Sequence, residues 1–561
     1  LIQKHNGETE DIQMQSTFHG LETARRGMMA QQAALHTTGH NIANANTEGY
    51  SRQRVNFNQT EPYPAAAMNR PRIPGHLGTG VEAGSIQRMR DQFLDVQYRN
   101  ENQKFGYWDA RFEALQKMED VMNEPSEQGL ANTIDRFWQS LQDLAVQPED
   151  AGARAVVRQR GIAVAETFRY AHDSLSAIRK DYETEVSQTE RDINSLIRQI
   201  NNVNRQIGDS EPHGYVTNDL YDERDRLVDQ LSQYLNIKTD FVKSSGNPNP
   251  VAEGKMTIWL ADSAGNAIEN AVLINGADYE AVQGLKLSFT GEGTNKLMSS
   301  IQLGQLDKDN YITETAGISW SSLDQFPSSG KLKGMMEAYG YQASDGTAKG
   351  IYPEMLSNLD EMAYVFATEF NKLHEKGWNL VDIKNGKEDD SGTSFFRDLG
   401  NVNHDQSGKL IFSENQSDKV GFAARIGVSL DIHNSTDYIA VASNKNGEAF
   451  AGDGSNALLM ANMKDTIFSI KGSNANIQSF YRSVIGDMAV DTSEALRLKG
   501  NSDILRGSVQ FRRDSVSNVS LDEEMTNMIK YQHAYNAAAR GITLVDEMLD
   551  RIINGMGLVG R

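Results

Sequence analysis

His36 and His40 stand four residues apart, one helical turn, a spacing at which two imidazoles can hold one metal ion. The Glu of a His-Glu-x-x-His site is missing, so the pair reads as surface or interface residues. His374-Glu375 also lacks the second His four positions after the first. Gly452-Asp453-Gly454-Ser455-Asn456 has the composition of a calcium loop but not its closing Glu, and reads as a turn entering a helix. The sequence contains no Walker loop, no GxGxxG after a strand and no GxSxG elbow. The expectation is no catalytic residue, no cofactor and no metal.

The chain has 561 residues, enough for about three or four domains at ~150 residues each. Fifty-five Lys and Arg against 76 Asp and Glu give a formal charge of -21. That charge argues against nucleic acid, because phosphate binding needs clustered cations, and against an anionic membrane. Its simplest consequence is solubility. The chain has no Cys, so disulfides and thiolate sites are excluded, and transit through a secretion channel meets no cross-link. Leu1 to Gln13 has no apolar core of a secretory signal, and no window approaches 18 apolar residues in a row. Residues 1–13 read as a leader of doubtful status, an over-extended start, with no structure assigned.

From Leu21 onward, apolar positions recur in steps of three and four. Leu21, Met28, Leu35 and Ile42 form the strong series, with Ala24, Gln31 and Thr38 as its weaker companion. Gly39 weakens this helix, and Asn46 to Gly49 stops it. The other end mirrors the pattern with Leu521, Met525, Met528, Gln532, Tyr535, Ala539 and Ile542. After a three-residue slip come Val545, Leu549, Ile552 and Met556. The matching seams suggest that the two terminal helices pair; the alternative is that each packs on a separate globular domain. The expected interface is Leu21, Met28, Leu35 and Ile42 with Met525, Met528, Tyr535, Ile542, Leu549 and Ile552.

Between these ends, residues 51–90 contain Pro62, Pro64, Pro71 and Pro74 and read as irregular and extended. Helices follow at 91–122, 130–146 and 151–207, the last a rod of roughly 85 Å. Leu220 to Tyr234 returns as an antiparallel partner. Ser244 to Pro250 reads as a linker, followed by alternation at Met256, Ile258, Leu260 and Leu285, Leu287, Phe289. Helix resumes from Leu356 and again from about Asn456, and Lys409 to Phe412 is a possible short strand. The expected fold is α+β, mainly α: an elongated multidomain chain with paired terminal coiled-coil helices, a long-helix body and β-rich inserted domains. The expected division is 14–60 with 515–561 as the terminal assembly domain, and 61–243 with 331–376 and 446–514 as the helical body. A β domain at 244–330 and a second small insertion at 377–445 complete it.

The stretch from Gln32 to Tyr50, with Gly39, Asn41, Ile42, Ala43, Asn44, Asn46, Thr47, Gly49 and Tyr50, resembles the N-terminal signature of bacterial axial flagellar proteins. These are rod, hook and hook-associated proteins. Phe18 to Met28, Tyr531 to Arg540, Asp546 to Asp550 and Gly555-Met556-Gly557 resemble the hook-associated protein 1 family, which joins hook to filament. The long helical body at 91–235 distinguishes that family from rod and hook subunits, the alternative within the superfamily. A non-flagellar coiled-coil adhesin is the other alternative, and it leaves the motifs at both ends unexplained.

The resemblance implies a structural subunit outside the cell, exported by the flagellar type III apparatus. It implies a ring-like axial assembly with copies of itself, contacting the hook protein on one side and a second junction protein and the filament on the other. It also implies an export chaperone on the C-terminal helix. The terminal seams are too short for a stable isolated domain, so the termini are expected to order on assembly.

Overall fold

The computed structural model describes residues 17–64, 68, 76–122, 126, 129–291, 293–307, 312–314, 318–385, 392–400, 419–443 and 448–555. Residues 1–13, Pro71, Pro74, Lys409 to Phe412, Met556 and Gly557 lie outside them. The chain opens with helix α1 (Thr17–Ala43) and a hairpin, β1 (Gln53–Gln59) and β2 (Val81–Arg88). The body follows as α2 (Gln92–Met122), α3 (Leu130–Val146), α4 (Ala151–Ser210) and α5 (Asn218–Tyr234). Strands β3 (Ile237–Val242) to β9 (Ser319–Trp320) come next, then α6 (Lys331–Tyr339), the short strands β10 (Tyr341–Gln342) and β11 (Ala348–Lys349), and α7 (Ile351–Lys376). Four short helices, α8 (Leu380–Asn385), α9 (Phe422–Arg425), α10 (Leu430–Asn434) and α11 (Ser455–Ala461), precede α12 (Ile477–Ser517) and α13 (Leu521–Gly555).

Helix α4 is the spine. Its 60 residues span about 90 Å at 1.5 Å per residue. Asp150 caps it, accepting hydrogen bonds from the Gly152 and Ala153 amides. The heptad residues Phe168, Leu175 and Tyr182, and further along Val186, Ile193, Ile200 and Ile207, are all buried, but in two different cores. The first half packs with α3, α7 and residues 392–400 and 419–443 around Phe137, Trp138, Phe366, Phe370, Phe395 and Phe396. The second half packs with α5, α6 and the sheet.

The sheet departs from the expected boundaries. It starts at β3, before position 244, and reaches β11 at Lys349. Residues 244–250 lie between β3 and the next strand, β4 (Lys255–Ala261), and Ser244 is buried there with its hydroxyl donating to Glu211. The sheet has no core of its own, because α4 supplies one wall. Asn194 clasps the Leu285 backbone, accepting from its N–H at 2.8 Å and donating to its carbonyl at 2.9 Å. Asn204 does the same to Met256, at 3.0 and 2.8 Å. These amides satisfy strand groups that face a helix instead of another strand.

Residues 51–90 also differ from expectation. They contain the antiparallel pair β1–β2, with Val55 opposite Ile86. The four prolines all fall between the strands, so the breaker signal applies to the connection alone.

Candidate functional site: the terminal helix pair and its joint to the body

Helices α1 and α13 pack together and run antiparallel. A Cβ added to Gly20 would lie 3.6 Å from Val545, and one on Gly27 4.0 Å from the Ala538 Cβ. A Cβ on Gly541 would lie 3.5 Å from the Ala24 Cβ. At these three points small side chains meet the partner helix. On α1, which also packs on the β1–β2 hairpin, Ala30, Ala34, Thr37, Thr38 and Asn41 are buried.

Of the expected interface residues on α1, Leu21, Met28, Leu35 and Ile42 are half-buried. On α13, Met528, Tyr535, Ile542 and Leu549 are half-buried, while Met525 is 57% and Ile552 46% exposed. Ala24, of the weaker companion series, faces Gly541 on the partner helix.

The motif residues do separate work. Gly39 meets nothing within 4 Å, and α1 continues through it to Ala43. Asn41 uses its whole amide. It donates to the Gln53 carbonyl at 2.8 Å and to Glu524 at 3.0 Å, and accepts from the Gln53 N–H at 2.9 Å and the Tyr50 hydroxyl at 2.8 Å. Burial, with Asp219, Asp222 and Glu524 nearby, pushes the Tyr50 phenol above its ordinary value, so it stays a donor. His40 Nδ1 also lies 3.0 Å from the Tyr50 hydroxyl, and the exposed His36 is not part of this arrangement. Asn44 and Thr47 tie the turn, with the Asn44 side chain donating to the His40 carbonyl at 3.1 Å and the Thr47 N–H to the Asn44 carbonyl at 3.0 Å. Gly49 has φ of +82° beside the Arg226 stem, a conformation and a closeness that suit glycine. Ile42 is half-buried, and Ala43, Asn46 and Thr47 are exposed.

Below the motif lies a buried network of charges. Arg88 reaches Asp222 at 2.9 Å, Asp225 at 2.5 Å and Glu253 at 2.7 Å. Arg99 reaches Asp229 at 2.8 Å and Asp225 at 3.2 Å. Arg513 on α12 holds Asp229 at 2.7 Å and Asp95 at 3.0 Å. Burial alone would raise the Asp225 carboxyl, but Arg88, Arg90, Arg224 and Arg99 hold it well below the usual range. Asp222 goes the other way: burial raises it despite Arg88 and Ser51. Sequence reasoning missed this network. Its signal was Asp222, Asp225 and Asp229 on one face of a helix, a pattern shared with any solvated face.

Helices α2 and α12 continue the joint as a ladder. Arg513 stacks over Tyr98 at 4.5 Å, Arg506 over Phe105 at 3.8 Å and Lys499 over Phe112 at 4.9 Å. Each rung is seven residues from the next on both helices. Each cation also meets a polar group one turn earlier on α2: Asp95 at 3.0 Å, Asn102 at 3.3 Å and Asp109 at 2.7 Å.

The rejected metal and calcium patterns have structural explanations. His374 is buried, with Nδ1 2.6 Å from the Thr393 carbonyl and Nε2 accepting from the Ala440 N–H at 3.0 Å. Asp453 accepts from the Ser443 and Ser455 amides, at 3.1 and 3.0 Å, and so fixes the turn into α11. Among the described residues no group of three or more His, Asp or Glu could hold a metal ion, and no helix is long and apolar enough to cross a membrane.

Comparison with known proteins places this architecture. Residues 115–396 match the family described as the flagellar hook-associated protein FlgK helical domain. The flagellar hook-associated protein 1 of Bacillus subtilis (strain 168) is 41% identical over 551 residues, covering 98% of this chain and 100% of the relative. The chain belongs to the flagellar hook-associated protein 1 family. The family's more distant member from Salmonella typhimurium is 22% identical, covering 95% of this chain and 98% of its own. Residues 21–50 match the family described as flagella basal body rod protein, and 513–555 the flagellar basal body rod FlgEFG protein C-terminal family. The first segment covers most of α1 and the turn after it, and the second covers the end of α12 and all of α13. The solved flagellar hook junction protein FlgK from Burkholderia pseudomallei shares the fold, with a TM-score of 0.56 at 13% identity, over 75% of this chain and 100% of that one.

Proposed function

We propose that this flagellar structural protein joins hook to filament and adapts one lattice to the other through α1 and α13. The observation that carries this reading is the exposure of α13. Of its 35 residues only Glu524 is buried, while Leu521, Met525, Ile529, Leu544, Met548 and Ile552 stay exposed. Such a helix gains its core from neighbouring copies. Its axial partners are further copies of itself, the hook protein, and the second junction protein with the filament. It acts outside the cell, after export with a chaperone on the C-terminal helix, and performs no catalysis. The helical body at 91–235 favours this reading over a rod or hook subunit.

Deletion of the gene tests the role. Hooks without filaments, with flagellin released to the medium, are expected under electron microscopy and supernatant analysis. Normal filaments would reject the junction role, and loss of the hook itself would reassign the chain to rod or hook. Limited proteolysis tests how far assembly adds to the order that the α1–α13 pair has in one chain: residues 17–60 and 521–555 are expected to be cut more slowly in the polymer than in the monomer, and equal rates would reject the added packing.

A further inference from the structure

Asp222, Asp225 and Asp229 form a row of carboxylates along one face of α5, at steps of three and four. Two arginines at the end of β2 face that row. Arg88 already bridges Asp222 at 2.9 Å and Asp225 at 2.5 Å. Arg90 bonds Asp95 at 2.8 Å and Ser51 at 3.3 Å. It also lies 3.9 Å from Asp222, 3.6 Å from Asp225 and 3.8 Å from Asp229. Its Nη2 is buried and makes no hydrogen bond. A buried guanidinium with an idle donor, and three carboxylates just beyond bonding distance, sits between pairings.

We propose that this row is a sliding joint: Arg88 and Arg90 exchange among Asp222, Asp225 and Asp229, so that α1, β1, β2 and α13 shift as a unit along α5. This rests on the junction role above, since a subunit between two lattices must hold its terminal helices at more than one angle to its body. The exchange keeps each arginine against a carboxylate of the row, and Glu253 and Asp95, which Arg88 and Arg90 leave, keep Arg224 at 2.7 Å and Arg513 at 3.0 Å, so no charge is stranded. An apolar joint making the same move would expose surface to water. Arg99 and Arg513 belong to the body and hold Asp225 and Asp229 from the other side, which fixes the row while the terminal unit moves. The bond from the Asn218 side chain to the Ile86 carbonyl, 3.0 Å, is one that the slide must break.

Pulsed dipolar electron paramagnetic resonance on the full-length monomer tests the joint. The chain has no Cys, so spin labels react only at the exposed positions Gln206→Cys on α4 and Gln532→Cys on α13. The expected distance distribution has two components separated by up to about 6 Å, the rise between residues four apart on a helix. Arg90→Met leaves one component. A single narrow component in the otherwise wild-type protein, or two unchanged components in R90M, overturns the proposal. Should R90M not fold, the charge-balanced pair R90M/D95N carries the same expectation. The measurement is made on the monomer, so it stands apart from the filament phenotype: normal filaments in the deletion strain would reject the junction role and leave this result intact.

Discussion

Asn41 and Glu524 lie 483 residues apart in sequence and 3.0 Å apart in space. The Glu524 carboxylate, almost wholly buried, also takes Arg52 at 2.8 Å. One side chain thus ties the last turn of α1, and Arg52 ahead of β1, to the first turn of α13. Glu524→Ala leaves Asn41 and Arg52 short of an acceptor. The expected cost is about 1.5–3 kcal/mol, the scale of a hydrogen bond to a charged group. Urea unfolding should show this loss, with faster amide exchange in α1 and α13 than in α4. Uniform exchange across all three helices would contradict the local role of the contact.

Two glycines should respond oppositely to alanine. Gly39 lies inside a helix with open space around it, so Gly39→Ala is expected to stabilise α1 by about 0.5–1 kcal/mol. A Cβ on Gly106 would sit 2.3 Å from the Gln233 carbonyl oxygen, at the α2–α5 crossing. Gly106→Ala must push the two helices apart, for a loss of about 1–3 kcal/mol. Thermal unfolding of both variants checks the pair. If G39A is more stable yet fails to restore swimming to a deletion strain, Gly39 serves assembly and not the monomer.

Acid should reveal the buried network through Asp225. Its folded carboxyl is depressed, so its contribution is fully present above the unfolded value near 4 and is lost as pH falls through the folded one. Asp225→Asn is therefore expected to destabilise most at pH 7, with the gap to wild type closing below about pH 4. Asp222 has the opposite sign. Its raised folded value favours stability below the unfolded value, and that contribution is lost as pH rises through the folded one. Asp222→Asn should accordingly cost less at pH 7 than Asp225→Asn. Urea midpoints at pH 7, 5 and 3 decide both, and a pH-independent gap for D225N would contradict the assignment.

The ladder between α2 and α12 predicts a graded series. Arg506→Ala removes the stack on Phe105 and the bond to Asn102, for a loss of about 1–2 kcal/mol. Arg506→Lys keeps the charge but loses the flat stacking surface, and should fall between. Thermal unfolding that placed R506K level with R506A would show that the planar guanidinium, and not the charge, carries the rung.

Local periodicity made much of this architecture legible. The heptad residues Phe168, Leu175, Tyr182, Val186, Ile193 and Ile200 gave α4, because a 3.6-residue period records which side of a helix is dry. Met256, Ile258 and Leu260 gave a strand in the same way, and the motif from Gly39 to Tyr50 with the C-terminal segment gave the family. A period does not say which neighbour covers the dry side. Tertiary structure alone decided that α4 serves two cores and that the sheet leans on Asn194 and Asn204. It also decided that Gly20, Ala24 and Gly27 of α1 lie against α13. Nor does sequence distinguish a buried charge from a solvated one. Asp225 and Arg88 carry the same side chains as any surface pair, and only the fold brings residues 88, 225 and 513 into one water-excluded place, where their charges must answer one another.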